Sequence, residues 1–125
     1  MTYFEEEPKI KIDLHNESKP YTLMDSVIVV TSTGGRVRIN KGYNWNGADI
    51  PRCFWKLIGT NSEIEFLPAS LVHDFMCENK HRFTLNESCD TFYDLLVLYG
   101  TNRLKAKIMM YFVWVYQKLQ KGWKK

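Results

Sequence analysis

His73 and Asp74 are adjacent within Leu71-Val72-His73-Asp74-Phe75-Met76, a stretch otherwise made of apolar residues. An imidazole at the edge of a core is suited to general-base work when a carboxylate on another element fixes its tautomer. Asp90 and Asp94, one helical turn apart, are the candidate orienting partners. His73, Asp90 and Asp74 therefore form a candidate catalytic set. A lone histidine with acids nearby is more often a hydrogen-bonded structural residue, and residue types alone favour that reading here.

A second group lies upstream, in Tyr43-Asn44-Trp45-Asn46-Gly47-Ala48-Asp49-Ile50-Pro51-Arg52. It joins strand-like to helix-like sequence, where loops carry function on a rigid frame. Asn46-Gly47 reads as a turn, Asp49 can bond the first amides of a helix opened by Pro51, and Arg52 can grip a carboxylate or another anion. Arg52, Asp49, Asn46 and Trp45 are the candidate substrate-binding residues. A well-made turn and helix cap, with no further role, is the alternative.

His73, Cys77 and His81 recur every four residues, and Cys89 is a further thiol. Tetrahedral zinc needs three or four such ligands. The spacing matches no finger pattern and the helix is expected to end before His81, so no metal ligands are assigned and a divalent metal is only a weak cofactor option. Gly-rich phosphate loops, a G-x-S-x-G elbow and paired-cysteine ribbons are all missing from the sequence.

The elements that would position these groups fall into two halves. Lys9-Ile10-Lys11-Ile12-Asp13-Leu14 alternates polar and apolar, residues 26–31 are a β-branched run, and Arg36-Val37-Arg38-Ile39-Asn40 alternates again. Ser32-Thr33-Gly34-Gly35 supplies the hairpin turn between the last two. The simplest arrangement is one three-stranded antiparallel sheet. Downstream, Pro51 opens a short helix ending near Gly59, and Pro68 opens another over 68–79. Thr84-Leu85-Asn86-Glu87 is a capping box for a third helix that stops at Gly100. Thr101 caps a fourth, with Leu104, Ile108, Phe112, Val115 and Leu119 as its core stripe. The expectation is a single α+β domain over residues 1–125: a small N-terminal antiparallel sheet of about three strands (strand-rich 9–46), packed on a C-terminal layer of about four helices (helical 51–121).

Composition bounds the function classes. The chain has 125 residues, 45% apolar and 25% charged, with four Trp and seven Tyr, which excludes a disordered or collagen-like chain. Three cysteines without a C-x-x-C pair and an acidic N-terminus argue against a disulfide-stapled secreted domain and a signal peptide. The expected location is the cytoplasm of a host cell, or a virion. The apolar run over 108–116 is too short to span a bilayer, which needs about 20 residues. After Asp94 there is no acidic residue, whereas Arg103, Lys105, Lys107, Lys118, Lys121, Lys124 and Lys125 follow. Such a tail suits a helix C-terminus and its dipole; it can also touch an anionic surface. It carries no recognisable nucleic-acid motif.

The hairpin, the Asn46-to-Arg52 loop with Phe54-Trp55 after it, Leu71-Val72-His73-Asp74-Phe75, Cys89-Asp90-Thr91-Phe92 and the closing amphipathic helix together resemble one family. It is the small phage and prophage family catalogued as domain of unknown function thirteen fifty-three, over roughly residues 25–118. Gly47, Ala48, Ile50, Pro51, Arg52 and Trp55 match its loop, and His73, Asp74, Asp90 and Phe92 match its helical positions. Asn46 stands where the family usually has Asp, Asp49 where it has Ser or Thr, and Cys77 where it often has Tyr. The resemblance implies a phage-related origin and a polar cluster joining loop to helices, and brings no assigned activity. The His-Asp helix is also similar to the phospholipase A2 arrangement, whose flanking cysteines and Gly-rich calcium loop are absent here.

Two functions follow as expectations. One is a hydrolase-like enzyme acting on a small molecule, with His73 as base, Asp90 as orienter, Asp74 and Asp49 as ligands of substrate or ion, and Arg52 as an anion clamp. The other is a non-enzymatic virion or assembly component, or a binder of a host protein, using exposed aromatics such as Trp45 and Trp123. A third possibility is attachment of the basic C-terminal helix to a membrane surface.

Overall fold

The computed structural model describes residues 2–13, 15, 19–32, 35–45, 63–120 and 122–124, with backbone alone for 63–65. These residues form six strands in two antiparallel sheets, then three α-helices and a 3₁₀ turn, an α+β content in the expected order. The chain divides into two compact units, Met1–Asn46 and Gly47–Lys125.

In the first unit the strands are β1 (Tyr3–Phe4), β2 (Ile10–Ile12), β3 (Tyr21–Leu23), β4 (Val27–Val30), β5 (Arg36–Ile39) and β6 (Asn44–Trp45). One sheet has the order β1-β4-β5 and the other β2-β3-β6. The β4–β5 hairpin forms as its alternation dictates: Val27 pairs with Ile39 and Val29 with Val37, and all four are buried on one face. The turn is closed by the Thr31 amide donating to the Gly35 carbonyl at 2.8 Å.

The single three-stranded sheet is corrected by the partner of β2. Ile10–Ile12 pairs with Tyr21–Leu23 rather than with the hairpin, in the register Ile10 to Leu23 and Ile12 to Tyr21. Tyr21-Thr22-Leu23 is an apolar-polar-apolar triplet, so both its apolar side chains reach the core although the run is too short to register as a strand. Gly42, at φ +91°, turns the chain out of β5, and its amide donates to the Leu23 carbonyl at 2.8 Å. That turn moves the chain into the second sheet, where Thr22 faces Asn44 and Tyr21 faces Trp45.

The second unit contains α1 (Glu63–Glu78), the 3₁₀ turn Lys80–Arg82, α2 (Leu85–Leu98) and α3 (Arg103–Lys118). Three α-helices are thus described rather than about four; the short helix expected from Pro51 to Gly59 lies outside the described residues. Helix α2 packs against both α1 and α3. Among the described residues no helix is long and apolar enough to cross a membrane.

Three local expectations shift. Pro68 lies inside α1 and does not open it. It sits early in the helix, where its fixed φ is helical and only one ladder bond is lost. From Phe66 to Cys77 every side chain of α1 is buried except the half-buried Phe75, so this helix is core on nearly all sides. Thr84 does cap α2, accepting from the Glu87 amide at 3.1 Å. Gly100 ends it at φ +105°, with the Thr101 amide donating to the Leu96 carbonyl and the Gly100 amide to Val97. Because Thr101 closes α2, the cap of α3 falls one residue later. Asn102 Oδ1 accepts from the Leu104 amide at 2.8 Å and from Lys105 at 3.4 Å.

The expected core stripe of α3 is also reversed. Ala106, Met109, Val113 and Gln117 are its buried side chains, while Leu104, Ile108, Phe112, Val115 and Leu119 are exposed. The helix carries two apolar stripes, and the one made of smaller or more flexible side chains faces inward. Trp114 Nε1 donates to Asn86 Oδ1 of α2 at 3.2 Å, which holds the helix in that rotation.

Candidate functional site

His73 is 1% exposed in the middle of α1. Its ring lies 5.1 Å from Phe92 of α2, at 44° between planes. Nδ1 is 3.2 Å from Ser88 Oγ, and Nε2 is 3.6 Å from Cys77 Sγ. Cys77 lies one turn along the same helix, and Ser88 reaches across from α2. A neutral imidazole has one N–H and one lone pair, whereas a hydroxyl and a thiol can each donate or accept. With the proton on Nε2, the Ser88 hydroxyl donates to Nδ1 and Nε2–H donates to the sulfur. With the proton on Nδ1, Nδ1–H donates to Ser88 and the thiol donates to Nε2. Either tautomer leaves both ring nitrogens partnered.

Burial lowers the pKa of His73 from its ordinary 6.5 to about 4, because a charged ring there would lose its water. The ring is therefore neutral at physiological pH. Burial, and then the Asp90 carboxylate, push the Cys89 thiol up to about 12, so Cys89 is an inert core thiol.

The candidate catalytic residues are only partly brought together. Asp74 is buried next to His73 in sequence, but successive helical residues point in different directions. Asp90 is exposed, and Ser88 and Cys77, not Asp90, face the ring nitrogens. The reason is helix geometry: residues two apart on α2 project to nearly opposite sides, so with Ser88 inward Asp90 turns outward. The Asp90 carboxyl titrates above the usual range through partial burial and then through repulsion from Asp94.

Trp45, expected to be exposed and to touch substrate, is 1% exposed in the first unit, stacked 6.0 Å from Tyr43 and tilted 5.7 Å from Tyr21. Asn46, Asp49 and Arg52 lie outside the described residues. His81 is exposed on the 3₁₀ turn beyond the end of α1, away from the register it shares with His73 and Cys77 in sequence. Among the described residues no group of three His, Cys, Asp or Glu side chains is placed to hold a metal ion. An open cavity of about 320 Å³, lined by Glu5, Glu6, Ser26, Val27, Ile28 and Arg38, contains none of these candidate residues.

Ser88 is the member of the cluster that sequence reasoning missed. The signal was present: the Thr84 cap sets the phase of α2, and Ser88 then shares the inward stripe with Phe92, Leu95 and Leu96. Chemically, the cluster is a buried hydroxyl–imidazole–thiol chain, closed to solvent at the ring.

A family model described as "Protein of unknown function (DUF1353)" matches residues 21–113, in agreement with the resemblance carried by the loop and helix motifs. The uncharacterized protein y4jT of Sinorhizobium fredii (strain NBRC 101917 / NGR234) is 39% identical over 75 residues, which is 60% of this chain and 22% of that protein. The uncharacterized protein y4iH of the same organism is 27% identical over 105 residues, 84% of this chain and 44% of that protein. The chain thus spans less than half the length of these curated relatives. No solved structure matches it.

Proposed function

We propose, for a chain that belongs to the DUF1353 family, that it works by binding rather than by catalysis. One observation carries this reading. His73, the residue best suited by type and place to be a general base, is buried, neutral, and engaged at both ring nitrogens by Ser88 and Cys77. A base must reach the proton it abstracts. In this reading the cluster is a polar lock that sets the register of α1 against α2. The phage or prophage setting implied by the motif resemblance supplies the context: a virion or assembly component, or a binder of a host factor, in the particle or the host cytoplasm.

Thermal unfolding of His73→Ala and Ser88→Ala tests it. Each variant leaves a buried polar partner unsatisfied, so each is expected to lose roughly 1–3 kcal/mol. Groups held for function against stability give neutral or stabilised variants when replaced. Unchanged or raised stability in both variants would overturn the lock.

A second reading is favoured by the Ser88–His73 contact itself. A hydroxyl 3.2 Å from an imidazole is the pairing of a nucleophile with its base. In this hydrolase-like reading Ser88 replaces Asp90 as the partner of His73. It requires the ring to open to solvent, and reaction of Ser88 with a small fluorophosphonate, read by mass spectrometry, would favour it over the lock.

A further inference from the structure

Helix α3 presents two apolar faces, and its fold within the unit uses only one. Ala106, Met109, Val113 and Gln117 are turned inward. On the opposite side Leu104, Ile108, Tyr111, Val115 and Leu119 recur at helical spacing, and the first, third and last are 69%, 61% and 79% exposed. At 1.5 Å per residue this ridge runs about 22 Å. Exposed large side chains scattered singly need no explanation; a continuous apolar ridge rimmed by charge marks an interaction surface.

Along α3 itself the rim is of one sign. Arg103, Lys105, Lys107 and Lys118 are all exposed, and α3 contains no carboxylate. Lys105 lies toward one flank of the ridge, beside Phe112 and Tyr116, while Arg103, Lys107 and Lys118 lie toward the other. Lys118 Nζ sits 4.6 Å over the Trp114 ring, which holds that cation at the edge.

We infer that this face of α3 docks on an anionic lipid surface, lying in the plane of the bilayer and not crossing it. The inference deepens the reading of the chain as a binding module by naming the partner. Charge complementarity selects that partner. A second copy pairing through the same ridge would bring Arg103, Lys105 and Lys107 of one helix against cations of the other, with no carboxylate on either. An anionic headgroup layer meets every rim cation with opposite charge, while the ridge enters the acyl boundary. Long lysine stems let the charged ends stay at headgroup level, and Tyr111 and Tyr116 combine an apolar ring with a hydroxyl suited to the same depth.

Flotation of the full chain with vesicles of phosphatidylcholine alone, or of phosphatidylcholine with 30% phosphatidylserine, tests the inference. The parent is expected to partition at least tenfold more strongly to the anionic vesicles. Leu104→Glu/Tyr111→Glu replaces two exposed side chains, and circular dichroism should show it folded; it is expected to lose binding at least tenfold. Lys105→Gln/Lys107→Gln keeps the ridge and removes one cation from each rim, lowering binding roughly fivefold per lysine. Equal partitioning to both vesicle types, or undiminished binding by both double variants, would overturn the inference. So would a parent that fails to float and sediments as a dimer that Leu104→Glu/Tyr111→Glu dissociates, since the partner is then a second copy. A parent that neither floats nor dimerises overturns it as well and leaves the face to an acidic protein. In none of these cases is the lock at His73 affected, so failure of the lipid partner and failure of the binding reading are separable.

Discussion

Replacing His73 by Gln should remove about 2 kcal/mol of the stability lost between pH 7.5 and 5.0. The imidazole titrates at about 4 in the folded protein and near 6.5 when unfolded. Above pH 6.5 both states hold it neutral, and its burial carries no protonation penalty. Between 6.5 and 4 the unfolded chain takes up a proton that the folded chain refuses, so stability is lost as pH falls; below 4 the loss stops growing. From pH 7.5 to pH 5.0 the linkage amounts to about 2 kcal/mol, and it approaches about 3 kcal/mol below pH 4. Asp90 acts with the opposite sign. Its raised folded pKa favours the fold at low pH, and that contribution is lost as pH rises through it. Because Asp90 is present in both proteins, its effect cancels in the difference. The assay is urea unfolding followed by circular dichroism at 222 nm, which reads the helices, at pH 7.5 and 5.0. His73→Gln starts less stable than the parent, yet its loss on acidification should be smaller by about 2 kcal/mol. Parallel losses, within the roughly 0.5 kcal/mol uncertainty of such differences, would show that His73 titrates alike in both states and would refute the reasoning.

The remaining expectations concern how the helices are built. Asn102→Ala should cost about 1 kcal/mol, because it deletes the side-chain acceptor at the start of α3. Thr101→Val should be neutral or stabilising, since its buried hydroxyl has no partner among the described residues; the reverse order in thermal melts would return the cap to Thr101. Met109→Ala should cost about 2–5 kcal/mol by opening a cavity on the inner face of α3. Leu104→Gln should stay within about 0.5 kcal/mol of the parent, and equal costs for the two would mean that α3 is rotated. Asp90→Asn should be neutral or slightly stabilising near pH 7, because it removes a partly buried charge and then its repulsion from Asp94; a loss comparable to that of Ser88→Ala would restore Asp90 to the cluster.

What the sequence made legible was chiefly chemistry written into single residues. The Thr84 cap, the Gly100 stop and the β4–β5 hairpin each follow from a local backbone requirement, and each appears in the structure. The inward position of His73 follows from its apolar neighbours. Other features depended on a choice between near-equals. Thr101 and Asn102 are both capping residues, and only the geometry closing α2 decides between them. Helix α3 has apolar residues on two faces, so periodicity reveals a stripe without telling which stripe is inward; the smaller or more flexible side chains are the buried ones, and α3 packs on α2. Tyr21–Leu23 and Asn44–Trp45 are strands of three and two residues, below the length at which alternation carries information. Ser88 gives a weak sequence signal, because a small hydroxyl counts neither as core nor as a strong catalytic group beside two aspartates. Its place on the buried stripe makes it the partner of His73.

The central claim is that His73 is a closed, neutral lock between α1 and α2. Its most direct test is a titration of the imidazole ring nitrogens by long-range proton–nitrogen correlation NMR, from pH 8 to the acid limit of folding. The His73 ring is expected to keep neutral-form nitrogen shifts until the pH falls to about 4, and to collapse to the unfolded position when the helices melt. A His73 ring that protonates near pH 6.5 in the folded protein would contradict it, and would reopen the ring as a base in contact with solvent.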